Sequence, residues 1–94
     1  MRISYFADID ILYVDLGDPL PEDQPVETYE LDVWRNVDVG PDGIPSGVEF
    51  INASTGIDLE GVPHREEIAT AIERLGTLRV LPTTHAQQSP TAAS

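Results

Sequence analysis

The chain contains no cysteine and no lysine, and only one tryptophan and one methionine. Without cysteine, disulfides, thiolate metal ligands and thiol nucleophiles are all excluded. Without lysine, the positive charge comes down to five arginines against 17 acids, a formal net charge of −12. That balance repels phosphate backbones, so no direct nucleic-acid binding is expected. Long apolar runs are missing too. Nothing approaches the roughly 20 residues that cross a bilayer, so no membrane partner is expected. The opening stretch MRISYFADIDILYV carries acids inside its apolar run and has no small-residue cleavage site, so it does not read as a signal peptide. A cytoplasmic location follows by default, and there the Asn52-Ala53-Ser54 glycosylation triplet carries no meaning.

What is present is enough for one globule. Ninety-four residues at 40% hydrophobic suit a single domain with a modest core rather than an acidic disordered tail. The charge is uneven: Arg65, Arg74 and Arg79 balance Glu66, Glu67 and Glu73, so the acidic excess lies in residues 1–62. It reads first as a solvated face that aids solubility, and second as a surface for a basic protein partner.

Residues 2–6 and 10–16 read as two strands joined by a short hairpin loop at 7–9. Leu12, Val14 and Leu16 alternate with Ile11, Tyr13 and Asp15, the period of a sheet with one core face. The segment 18–25 holds three prolines and three acids and reads as an exposed loop. Alternation resumes over 28–39, with Tyr29, Leu31, Val33, Val37 and Val39 on one parity and Arg35 interrupting it; this predicts one long third strand. Gly40-Pro41-Asp42-Gly43 has turn chemistry, and residues 46–52 form a fourth strand with Val48 and Phe50 inward.

Residues 53–62 read as loop, and Pro63 is placed to open a helix. Ile68, Ala71, Ile72 and Leu75 make one apolar helical stripe, and Gly76 suits a left-handed C-terminal cap. Residues 78–81 read as a fifth short strand or a packed extension. The predicted fold class is α+β, a four-stranded antiparallel β-meander with one C-terminal helix packed on one face. A single domain is expected over 1–81, with a disordered tail over 82–94. The predicted core joins Leu12, Val14, Leu16, Leu31, Val33, Val37, Val48 and Phe50 to Ile68, Ile72 and Leu75.

On this register Ile11, Tyr13, Trp34 and Ile51 share the outer face of the sheet. Apolar and aromatic residues grouped there mark a candidate interface, for a homodimer or for a different protein. No catalytic or cofactor-binding set emerges. The run DVGPDGIPSGVE places Asp38, Asp42, Gly43 and Glu49 at positions of a calcium-binding loop, but Gly40 offers no oxygen where a ligand is needed. The flanks also alternate as strands rather than helices, so a β-turn is expected and no metal site is assigned. His64 and His85, the two histidines, do not make a metal set. Asp8 and Asp10 read as a solvated pair, and Ser4, Ser46, Ser54 and Thr55 lack a neighbouring base.

Two blocks resemble a known family. Tyr5, Asp10, Leu12, Tyr13, Val14 and Leu16 form the first. Val37-Asp38-Val39, Asp42-Gly43, Gly47-Val48-Glu49-Phe50-Ile51 and Asn52-Ala53-Ser54 form the second. In that order they resemble the small bacterial proteins catalogued as domain of unknown function 2283. Phe6-Ala7 departs from the family's usual Asp-Pro, and residues 55–94 lie outside the resemblance. It implies a compact β-sheet and no particular activity; some members are suspected antitoxins. The expected function is a non-enzymatic acidic protein-binding module, antitoxin-like towards a basic partner. A structural homodimer and a small metal-dependent enzyme using Asp38, Asp42 and Glu49 are the alternatives.

Overall fold

The computed structural model describes residues 1–17 and 26–82. Strands β1 (Arg2–Phe6), β2 (Ile11–Asp15), β3 (Glu27–Asp32), β4 (Arg35–Val39) and β5 (Pro45–Ile51) precede a 3-10 turn, Ala53–Thr55, and helix α1 (Arg65–Leu75). The loop expected at 18–25 and, Pro82 apart, the tail expected over 82–94 lie outside the described residues.

The class is α+β with one antiparallel sheet and one helix, but the sheet has five strands, not four, in the order β1-β2-β5-β4-β3. The single strand predicted over 28–39 is a hairpin that reverses at Val33 and Trp34, where the Asp32 carboxylate accepts the Trp34 N–H at 2.9 Å. Alternation matches across most of the hairpin for a geometric reason. Tyr29 pairs with Val37 and Glu30 with Asn36, so partners of equal parity share a face as far as Glu30; the register then shifts before Asp32, which pairs with Arg35. The extra reversal also removes the meander order: β5 returns between β4 and β2, pairing with both.

One face of the sheet carries Leu12, Val14, Val37, Val48 and Phe50, all buried. Ile68 and Ile72 of α1 meet it and are fully buried, each contributing roughly 1.5–3 kcal/mol. The helix does not cover the sheet alone. Ala53, Ile57, Leu59 and Val62 complete the same core, so the segment, irregular as expected beyond its 3-10 turn and one bridge, is also a packed layer. The Ile57 N–H donates to the Arg79 carbonyl at 2.7 Å and its carbonyl accepts the Leu81 N–H at 2.8 Å, which makes one parallel bridge of the 78–81 stretch rather than a strand. Three expected core residues are displaced outward: Leu31, Val33 and Leu75 are 39%, 71% and 41% exposed. Leu31 and Val33 are lost to the hairpin end, where little lies above them.

Helix α1 starts at Arg65, two residues after Pro63, with His64 at φ 55° as its N-cap. Glu66 and Glu67 in the first turn and Arg74 in the last complement the helix dipole. Gly76, at φ 78°, closes the helix as expected, its N–H donating to the Ile72 carbonyl at 3.2 Å. No helix among the described residues is long and apolar enough to cross a membrane.

Candidate functional site

The outer face of the sheet is organised around a missing side chain. Gly47 lies between Asp15 of β2 and Asp38 of β4, and a Cβ on it would come within 1.9 Å of the Tyr13 hydroxyl oxygen. Tyr13 therefore lies flat across β5 and donates to Asp38 Oδ2 at 2.6 Å, while Thr28 donates to Asp38 Oδ1 at 2.7 Å. Burial, then the bond to Asp38, then the charges of Asp38, Asp15 and Glu49 hold the Tyr13 phenol well above its ordinary pKa. It stays a protonated donor and is no base. Beside it, Asn36 Nδ2 donates to Glu49 Oε1 at 2.8 Å.

Of the four candidate interface residues, Ile11 and Ile51 are cross-strand partners and half-buried. Tyr13 shares their face, but its hydroxyl is committed to Asp38. Trp34 sits at the reversal of the β3–β4 hairpin, 52% exposed, and joins the others through its backbone: its carbonyl accepts the Ile51 N–H at 2.7 Å. Trp34 and Ile51 also line one small cleft with Arg35, Asn52, Asp58 and Leu81.

The carboxylates weighed as a metal set have separate tasks. Asp38 serves Tyr13 and Thr28, and Glu49 serves Asn36. Asp42 accepts the Ile44 N–H at 3.0 Å inside the turn that Gly43 (φ 79°) permits. Among the described residues no three Asp, Glu or His side chains converge on a point a cation could occupy. His64 Nδ1 lies 3.1 Å from Glu67 Oε1 at the surface, and His85 is outside the described residues. Ser46 donates to the Asp38 carbonyl and Thr55 to the Asn52 carbonyl, so their hydroxyls are spent on backbone.

Asp10 is not the solvated acid expected from its position in a loop. In a left-handed conformation, φ 55°, it accepts the Tyr5 hydroxyl at 2.7 Å, the Ser54 N–H at 2.9 Å and the Ser54 hydroxyl at 2.6 Å. The Ser54 hydroxyl first, and the Tyr5 hydroxyl next, hold its carboxyl below the usual range. This latch fastens the β1–β2 loop to the 3-10 turn and brings together residues of both sequence blocks.

Arg35 forms a second fastening. Its side chain is only 12% exposed; it grips Asp32 Oδ2 at 2.9 and 3.1 Å and donates to the carbonyls of Asp58, at 3.2 Å, and Glu60. The bond to Arg35 is the main reason the Asp32 carboxyl lies below its ordinary range. The sequence signal was present: an arginine on the apolar parity of a strand needs a reason to be there.

The apolar side chains of the β3–β4 hairpin are the ones left without cover. All six residues of β3 are exposed, and Tyr29 and Val33 are 52% and 71% accessible. Glu27, Glu30 and Asp32 are interleaved with Tyr29 and Leu31, so apolar and anionic groups alternate along one edge. Comparison with known proteins finds no matching family model, curated protein or solved structure.

Proposed function

We propose that the chain is a cytoplasmic, non-enzymatic binding module that recognises a basic protein. The observation that carries this reading is the β3–β4 hairpin, where Tyr29, Leu31, Val33 and Trp34 are exposed together among Glu27, Glu30 and Asp32. Exposed aromatics supply contact area at low entropic cost, and the surrounding carboxylates speed encounter with a cationic surface and select for it.

The test is affinity capture on the immobilised full chain from its native host, eluted with rising salt. A basic protein recovered in stoichiometric amount and released by salt is the expected result. Recovery of nothing but the chain itself refutes the reading.

A further inference from the structure

We propose that β3 receives a basic, extended segment of a partner protein as a sixth strand of the sheet. The inference rests on the binding-module reading and specifies where and how it operates. Strand β3 ends the sheet order, and among the described residues nothing pairs with its outer side. In an antiparallel sheet alternate residues of an edge strand turn their N–H and C=O groups outward, a ready template for another strand. The edge is six residues long, the length of an ordinary strand.

Below the edge, on the core side, runs an open groove of about 590 Å³ lined by Tyr29, Leu31, Val37, Pro45, Val62 and Pro63, with Arg65 at its wall. The packed 57–62 layer and α1 leave this strip of the sheet's inner face uncovered. An added strand would place every second side chain over it, and those side chains would be apolar.

Charge sets the sign of the partner. Among the described residues Glu27 and Glu30 are the edge carboxylates with no cation against them, since Asp32 and the hairpin's one cation, Arg35, are paired with each other. A second copy of the chain fits badly, since antiparallel pairing of two β3 edges gathers Glu27 and Glu30 from both copies into one seam. Each copy also carries a net charge of −12. Arginine or lysine at the alternate positions of the incoming strand relieves what a second copy would aggravate.

The test uses the full chain, isotope-labelled for amide NMR, with three synthetic probes of about ten residues, a strand's length with margin. One alternates arginine with valine, one replaces its arginines by glutamate, and one keeps the arginines but replaces the valines by proline. Expected in the free chain is fast hydrogen exchange at alternate amides of residues 27–32. The arginine–valine peptide slows that exchange, and its affinity falls at least about tenfold between low and half-molar salt as charge is screened. The glutamate and proline peptides protect nothing, and Glu30→Lys weakens binding of the first peptide while leaving the other amide signals in place.

Equal binding of the proline peptide would mean charge alone and would overturn the strand-addition proposal. So would protection by the arginine–valine peptide confined to β1 or to the outer face, although the binding-module reading would survive that result. A dimer whose β3 amides are protected before any peptide is added also overturns it, as does the absence of binding by the first peptide. Salt-sensitive capture of a basic protein, together with any of these results, separates loss of the edge assignment from loss of the function.

Discussion

Replacing Gly47 by alanine places a methyl group where the Tyr13 hydroxyl now lies. The added carbon would sit 1.9 Å from that oxygen and 2.5 Å from Tyr13 Cζ, so the ring must leave the surface of β5. With it goes the hydrogen bond to Asp38, now 2.6 Å long. A bond to a charged acceptor contributes about 1.5–3 kcal/mol. Against this, alanine in a strand interior recovers about 0.5–1 kcal/mol of the backbone entropy that glycine costs. The net loss is about 0.5–2.5 kcal/mol, a fall in Tm of roughly 2–12 °C for a domain of this size. Thermal unfolding by circular dichroism measures it. The decisive comparison is a double-mutant cycle, in which Gly47→Ala introduced into a Tyr13→Ala background costs nothing or stabilises, because the obstruction is gone. A Gly47→Ala protein with unchanged Tm, or an equal cost in both backgrounds, refutes the claim that Tyr13 requires the bare backbone.

Other fastenings make separate predictions. Arg35→Lys keeps the charge but loses the fork that spans Asp32 and two carbonyls, and urea unfolding should show a loss of about 2 kcal/mol. The Asp10 carboxyl is held below its unfolded pKa of about 3.9, so its contribution is complete above that pH and is lost as pH falls through the lower folded value. Asp10→Asn lacks this component. The stability gap between wild type and variant should therefore be constant at neutral pH and narrow in acid, read from denaturant midpoints across the pH range. Trp34→Ala, at an exposed turn, should cost about 0.5 kcal/mol or less yet abolish capture of the basic partner.

The sequence made the apolar-polar alternation legible and left the reversals within it hidden. Leu12, Val14, Val48, Phe50, Ile68 and Ile72 were readable as core because period 2 and period 3.6 each assign a face. The hairpin at Val33-Trp34 was not, since the pairs Tyr29–Val37 and Glu30–Asn36 match in parity and the register shift before Asp32 leaves no local mark on the alternation. Within Asp32-Val33-Trp34-Arg35 only Asp32 favours a turn, and one aspartate amid alternating residues does not announce it. The 53–62 stretch is irregular as its residues suggest, but its burial was hidden for the opposite reason. Its Gly56 and Gly61 look like loop punctuation, yet they let Ile57, Leu59 and Val62 turn inward without any regular period. Of the candidate interface, Trp34 was legible as an exposed aromatic, whereas Tyr13's engagement with Asp38 depends on strand order across three strands, which local patterning does not encode.

The position of β5 has a consequence for synthesis on the ribosome. The sheet's middle is supplied by its last strand in chain order, and the layer that seals it, from Ile57 to Ile72, comes later still. Until that stretch emerges, the nascent β1–β2 and β3–β4 hairpins have no apolar lid, and two-stranded ribbons are marginal in water. The domain therefore closes its core only once the stretch up to Ile72 has emerged, and until then the negative charge of residues 1–62 opposes self-association.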